Sequence, residues 1–208
     1  MSRLIPVMNL YKTLKNLRID LMTQGTFLGG GVDSIDGEEM IYGTVNSGYE
    51  QLEIIFFDYY TVNKNDVIID VGCGKGRVFN YLIFRGLKNK MIGYEINEAV
   101  GNKTKANLAR YNNVEIRSEN IFNNFPQEGN LFYLFNPFKE AMIIEFRDRI
   151  LEMKENNPVI LYYNPAYIDI FIDQRFRCEI RDIPIPQAGY NLKLAIIRIS
   201  DKYRLSGI

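Results

Sequence analysis

A short apolar run followed by alternating glycines most constrains the fold of this 208-residue chain. Residues 67–71 are apolar except at Asp70, a pattern typical of a strand that is buried on both faces of a parallel sheet. Glycines follow at positions 72, 74 and 76, and residues 78–84 then have the apolar spacing of a helix. This order predicts a nucleotide-binding corner, because glycines let the backbone approach a ligand and the helix N-terminus offers unpaired N–H groups.

The glycine spacing distinguishes this corner from two phosphate-binding motifs. The dinucleotide pattern G-x-G-x-x-G fails because Gly76 comes one residue early and Arg77 occupies the place of the third glycine. The phosphate-loop pattern fails because Ile69 stands where its first glycine belongs.

The stretch instead resembles motif I of the class I S-adenosylmethionine (SAM) methyltransferases, an acidic residue followed by x-G-x-G-x-G. The matching residues are Asp70, Gly72, Gly74 and Gly76, with Cys73 inside the loop. The resemblance implies that these five residues bind SAM as a cofactor. It also implies a Rossmann-like α/β sandwich with a mostly parallel, seven-stranded sheet that ends in a C-terminal antiparallel hairpin.

Composition excludes several kinds of chemistry. The chain has no histidine, which excludes histidine bases, histidine metal ligands and Ser-His-Asp triads, and we expect no metal site. Its formal net charge of zero argues against a strongly electrostatic nucleic-acid binder.

Cys73 and Cys178 cannot form a C-x-x-C site, so we expect a reducing, cytoplasmic environment. Neither a signal peptide nor a membrane span is expected, because no segment is long and apolar enough.

The N-terminal part predicts a helix over residues 4–22 and a glycine-rich loop over 25–43. We expect residues 1–43 to form an N-terminal helix and a glycine-rich loop, the loop being either a substrate lid or a plain connector, and residues 44–208 to form the SAM-binding domain. Ser47 and Glu50 have the spacing of a capping box for a helix over 51–57. Tyr49 resembles a tyrosine that reaches the SAM site in small bacterial methyltransferases.

Two further strand ends predict contacts to a nucleoside. Glu95 ends the second predicted strand 19 positions after Gly76, where a carboxylate accepts hydrogen bonds from ribose hydroxyls, with Ile96 beside it. Glu119 and Asn120 follow the third predicted strand and resemble the pair that binds adenine in class I methyltransferases.

The fourth predicted strand ends in Asn136-Pro137-Phe138, beside the glycine loop. This resembles motif IV of the amino-methylating enzymes, with one proline missing, and small bacterial methyltransferases of unassigned substrate carry the same version. The resemblance implies that Asn136 contacts both cofactor and acceptor, and that Asn136, Pro137 and Phe138 are catalytic. The Asn136 side chain and the Pro137 carbonyl would accept hydrogen bonds from an amine, and the Phe138 ring would pack on its plane. The alternative is a turn in which asparagine precedes proline for backbone reasons. Tyr163 and Asn164 end the fifth predicted strand and are further candidates for acceptor contacts.

The predicted function is SAM-dependent methyl transfer, by direct displacement, to an amine or another small-molecule acceptor. A hydroxyl or carboxyl acceptor would call for a base, for which Glu50, Tyr49 and Tyr163 are the candidates. Alternatives are a nucleic-acid adenine methyltransferase, a protein lysine methyltransferase and a non-catalytic SAM-binding module, with a nicotinamide oxidoreductase more distant. The compact basic cluster available to a nucleic acid is Arg175, Arg177 and Arg181.

Overall fold

The computed structural model describes residues 4–29, 47–186 and 189–205, and side chains from residue 12 onward within the first range. Its centre is a seven-stranded sheet of order β3-β2-β1-β4-β5-β7-β6. The strands are β1 (Ile68–Val71), β2 (Met91–Tyr94), β3 (Val114–Arg117), β4 (Leu131–Phe135), β5 (Val159–Tyr163), β6 (Phe176–Ile185) and β7 (Tyr190–Ile199).

Strands β1 to β5 are parallel, whereas β7 pairs antiparallel with both β5 and β6. The predicted Rossmann-like methyltransferase fold with its C-terminal hairpin is therefore confirmed. The strand order reverses between β1 and β4, and ligands of open parallel sheets bind outside the carboxyl ends of the strands at such a point.

Helices cover both faces of the sheet: α1 (Leu4–Thr23), α2 (Tyr49–Glu53), α3 (Arg77–Phe84), α4 (Glu98–Leu108), α5 (Glu140–Glu152) and α6 (Asp201–Leu205). A π-helical turn over Ile54–Tyr59 continues α2. Alternate residues of the central strands point to opposite faces, so each face carries its own apolar cluster. Helix α1 packs against α3, with Ile19 buried in the same cluster as Phe79.

Three local predictions need correction or fall outside the described residues. The Ser47–Glu50 capping box is wrong: Gly48 precedes α2 without a side-chain cap, because the Ser47 hydroxyl is hydrogen-bonded to Tyr133 and Glu50 pairs with Lys12. A single 3-10 turn over Ile168–Phe171 follows β5. The glycine-rich loop from residue 30 onward, which is the possible lid, and the domain boundary at residue 43 lie outside the described residues. Within the described residues, no helix is long and apolar enough to cross a membrane.

Candidate active site

A cleft opens at the carboxyl ends of β1, β2 and β4, with a volume of about 850 Å³ that includes space open to solvent. Ten residues that the sequence singled out line it together: Asp70, Gly72, Cys73, Glu95, Ile96, Glu119, Asn120, Asn136, Pro137 and Phe138. The glycine turn after β1, the end of β2 and the end of β4 are far apart in sequence. The parallel sheet brings them to one edge, as the strand-order argument predicts.

The glycines of the β1–α3 turn shape this cleft more than they line it. Gly72, Gly74 and Gly76 have φ of +77°, +52° and +76°, in the left-handed region that favours glycine. Gly72 lines the cleft, and a Cβ there would lie 3.2 Å from Cβ of Pro137. Gly74 and Gly76 are not among the lining residues, and a Cβ on Gly76 would lie 2.9 Å from the Thr104 side chain on α4. Gly76 therefore lets the turn close against α4.

Asp70 is a buried acid at the floor of the cleft. Its side chain is 3% exposed, and its Oδ2 atom has no hydrogen-bond partner. Burial, together with the charge of Glu95, raises the pKa of Asp70 from its ordinary value of 3.8 to about 8. A buried acceptor without a partner is costly in a folded protein, and one that faces a cleft points to a ligand that would satisfy it.

Glu95 is held in a fixed orientation by the backbone around it. Its Oε2 accepts from the N–H of Gly74 and its Oε1 accepts from the N–H of Asn97, both at 2.8 Å. Burial raises the pKa of Glu95, and these backbone hydrogen bonds oppose that shift. The carboxylate thus ties the end of β2 to the glycine turn, and it keeps acceptor capacity for a ligand.

Arg77 is a cleft residue that the sequence motifs do not single out. It begins α3 and lines the cleft, and its guanidinium lies 4.3 Å from the ring centroid of Tyr49. Its Nε atom is buried and has no hydrogen-bond partner. The signal available in the sequence was its position directly after the glycine turn, where a helix N-terminus and a cation can hold an anionic group together.

Tyr49 lies beneath the cleft and does not line it. Its hydroxyl donates to the carboxylate of Asp20 on α1 and accepts from Nδ2 of Asn80 at 2.9 Å. Burial raises the pKa of Tyr49 well above its usual range. Tyr49 therefore connects α1 to α3 and supports the guanidinium of Arg77, and this placement does not bring it to a cofactor in the cleft.

Asn136 adopts a left-handed conformation with φ of 47°, which asparagine tolerates better than most residues. Its Oδ1 accepts from the hydroxyl of Tyr162 at 2.9 Å and from the backbone N–H of Ala166 at 3.2 Å. Because a backbone N–H can only donate, the oxygen of the amide must face Ala166. Both lone pairs of Oδ1 are then in use, so the oxygen that the amine-binding role requires is already occupied.

The other members of the site complete its walls. Phe138 is buried and packs 5.3 Å from Phe122, measured between ring centroids. Asn120 uses its Oδ1 to accept from the N–H of Phe122, so it caps the 3-10 turn that follows. Tyr133 and Ser47 also line the cleft and are hydrogen-bonded to each other at 2.7 Å.

The candidate bases lie outside the cleft. Glu50 pairs with Lys12 at 2.8 Å. Tyr163 is buried against Phe135, and burial raises its pKa to about 12. Neither of them, nor Tyr49, is among the residues that line the cleft. The described part of the chain also has no cluster of three or more histidine, cysteine or acidic side chains that could hold a metal.

The basic cluster near the hairpin is neutralised by its neighbours. Arg175 pairs with Asp173, Arg181 pairs with Glu179, and Arg177 lies 3.9 Å from Asp201. Each guanidinium thus has its own carboxylate, which weakens the cluster as a surface for phosphates.

Several solved structures that match this fold are methyltransferases, while no family model and no curated protein matches the chain. A methyltransferase from Pyrococcus furiosus is 13% identical, with a TM-score of 0.58 over 92% of this chain and 97% of that one. An RNA methyltransferase from Salinibacter ruber, in complex with S-adenosyl-L-homocysteine, is 18% identical, with a TM-score of 0.53 over 76% and 95%. The mitomycin 7-O-methyltransferase MmcR is 16% identical, with a TM-score of 0.50 over 73% and 53%. At these identities the likeness shows the class I methyltransferase fold.

Proposed function

We propose that this protein is a SAM-dependent methyltransferase that acts on a small-molecule acceptor. The observation that carries the proposal is the buried carboxyl of Asp70, a residue that lines the cleft and has an unpartnered oxygen. A ligand that brings a positive charge to this carboxyl would satisfy the oxygen and favour its ionised form. SAM carries an ammonium and a sulfonium, and it therefore suits this position.

The charges of the cleft distinguish SAM from a nicotinamide dinucleotide. Three carboxyl groups (Asp70, Glu95 and Glu119) and one guanidinium (Arg77) line it. A pyrophosphate needs cations or unopposed N–H groups, whereas this acidic lining favours a cationic ligand. The comparisons agree with this choice, since the Salinibacter ruber structure contains S-adenosyl-L-homocysteine in the same fold.

The remaining lining groups fit the other parts of SAM. We assign Asp70 to the ammonium and Arg77 to the carboxylate of the methionine part. The fixed Glu95 carboxylate would accept from the ribose hydroxyls, and Glu119 and Asn120 would flank the adenine. Ile96 and Phe138 supply apolar walls. When bound, SAM supplies a methyl group on a sulfonium that is already an excellent leaving group.

The chain's own residues then act mainly by positioning. They hold the methyl and the acceptor in line and exclude water, an effect worth several kcal/mol without proton transfer. The absence of histidine is compatible with this chemistry. The neutralised arginine cluster favours a small-molecule acceptor over RNA, although RNA methyltransferases share the fold.

Calorimetric titration with SAM at pH 6.5, in buffers of different ionisation enthalpy, tests this assignment. At that pH Asp70 holds a proton in the free protein, so SAM binding should release close to one proton from wild type. Asp70→Asn should release none and bind SAM at least about tenfold more weakly, because an amide attracts an ammonium less than a carboxylate does.

Two further titrations complete the experiment. Asp169→Asn removes an exposed acid outside the cleft and should match wild type. NAD should not bind any of the proteins. Binding of NAD in preference to SAM, or SAM binding that Asp70→Asn leaves unchanged, would refute the proposal.

A further inference from the structure

A second cavity lies directly beside the cofactor cleft. It has a volume of about 1200 Å³, including space open to solvent, and lies between the end of β5, the 3-10 turn at Ile168–Phe171 and the hairpin of β6 and β7. Asn136 lines both this cavity and the cofactor cleft. The Asn-Pro turns that end β4 and β5 both place their asparagine in the left-handed region, with φ of 47° at Asn136 and 50° at Asn164. A molecule in the second cavity would therefore reach the cofactor cleft at Asn136.

The lining of this cavity is mainly apolar. Its walls include the side chains of Ile168, Phe171, Ile172 and Ile180. Ile172 and Ile180 are 65% and 47% exposed, so the cavity leaves apolar surface in contact with water. Covering that surface with an apolar molecule is favourable at about 25 cal/mol per Å².

The two charged residues that line the cavity are already paired. Asp173 is bonded to Arg175, and the Lys193 ammonium is bonded to Asp182 at 2.5 Å. The walls of this cavity therefore offer no unpaired charge to the main part of a ligand, and the lining favours a ligand whose main part is apolar.

The side-chain amide of Asn136 determines which polar atom a ligand meets where the two cavities adjoin. Its Oδ1 is saturated by Tyr162 and Ala166, so the group left to a ligand is the Nδ2 amide, which can only donate. An amine nucleophile has one lone pair, which must point at the methyl carbon, and its own N–H groups need acceptors. An ionised oxygen has further lone pairs, and it can accept from Nδ2 while another attacks.

We propose that the second cavity is the acceptor site and that the acceptor is an apolar molecule bearing an ionised oxygen, as a carboxylate or an acidic hydroxyl. This inference rests on the proposed function. A lone pair of the acceptor oxygen forms the new C–O bond to the methyl carbon. The methyl C–S bond breaks, its electron pair remains on sulfur, and S-adenosylhomocysteine leaves. No proton moves, which suits a cleft that none of the three candidate bases lines.

The test is calorimetric binding of two matched probes, 2-naphthoate and 2-naphthylmethylamine, to the protein saturated with S-adenosylhomocysteine. They share one apolar body and differ in the polar group. We expect wild type to bind the carboxylate and to bind the amine at least about tenfold more weakly, because Nδ2 cannot accept. Asn136→Asp keeps oxygens for Tyr162 and Ala166 but replaces the donor with an acceptor, so it should reverse this preference.

Variants of the cavity wall locate the binding. Ile172→Asn should weaken 2-naphthoate binding by about three- to tenfold through lost apolar contact. Ile144→Asn is the matched control, because Ile144 is partly exposed on α5 and lines neither cavity. It should leave the affinity unchanged.

Three results would overturn the acceptor assignment. The first is tighter binding of the amine than of the carboxylate by wild type, and the second is failure of 2-naphthoate to bind. The third is an Ile172→Asn variant whose self-association in sedimentation changes while its affinity for 2-naphthoate does not. A parallel SAM titration separates the two proposals, since loss of SAM binding refutes the cofactor assignment, whereas failure of the probes with SAM binding intact refutes only the acceptor site.

Discussion

The buried acid that carries the cofactor proposal should also make the free protein less stable as the pH rises. The native state holds the Asp70 proton up to about pH 8, whereas the unfolded chain releases it near the ordinary value of 3.8. Between these values the unfolded state binds fewer protons than the native state, so the free energy of unfolding falls with rising pH. The limiting slope for one group is about 1.4 kcal/mol per pH unit, or roughly 3 kcal/mol between pH 5 and pH 7.

Asp70→Asn removes this titration without changing the shape of the side chain. Urea unfolding at pH 5 and at pH 7, followed by circular dichroism without cofactor, measures the effect. We expect the wild-type loss of stability between the two pH values to exceed that of Asp70→Asn by roughly 3 kcal/mol. Other titrating groups contribute to both proteins and cancel in this comparison. A difference below about 0.5 kcal/mol would refute the argument that burial holds a proton on Asp70.

Two further predictions concern the groups around the cleft. Tyr49→Phe removes the hydroxyl that joins Asp20 to Asn80. It should therefore lower the free energy of unfolding, measured in urea, by about 1–3 kcal/mol, while SAM affinity changes by less than about threefold. An unchanged free energy of unfolding would contradict the role of this hydrogen-bond network. Cys73 is buried in the cleft wall, and burial raises the pKa of its thiol, whereas Cys178 is exposed. A chromogenic disulfide reagent should therefore label Cys178 first, and SAM should slow the labelling of Cys73 alone. Equal labelling rates at the two cysteines would contradict this prediction.

The sequence predicted the sheet because its strands are short, apolar and buried, as the run around Ile69 illustrates. The turn between β1 and α3 could also be predicted from the sequence, because its glycines adopt a left-handed backbone conformation that few other residues adopt. Strand ends then placed Asp70, Glu95 and Asn136 at one edge, because parallel strands share their direction.

What the sequence could not supply was the direction in which polar side chains point. Ser47 and Glu50 have capping-box spacing, but tertiary partners at Tyr133 and Lys12 determine their contacts. Tyr49 resembles a tyrosine that reaches the SAM site, yet its hydroxyl is hydrogen-bonded to Asp20 of α1 and it does not line the cleft. These outcomes depend on long-range contacts that no local pattern encodes.

Asn136 shows the same limit in the cleft. Its place beside the glycine loop followed from topology, whereas the use of its oxygen by Ala166 depends on the path of the chain after β5. That contact is the reason why we propose that Asn136 donates to an oxygen rather than accepting from an amine. The likeness of a motif therefore located the residue without determining its role.

A crystal structure of the protein with SAM or S-adenosylhomocysteine would test the central claim most directly. The account predicts ligand density in the cleft between β1 and β4, with the amino group within hydrogen-bond distance of the Asp70 carboxyl and the ribose within that distance of Glu95. A ligand bound elsewhere, or a cleft without ligand density at a saturating concentration, would contradict the account.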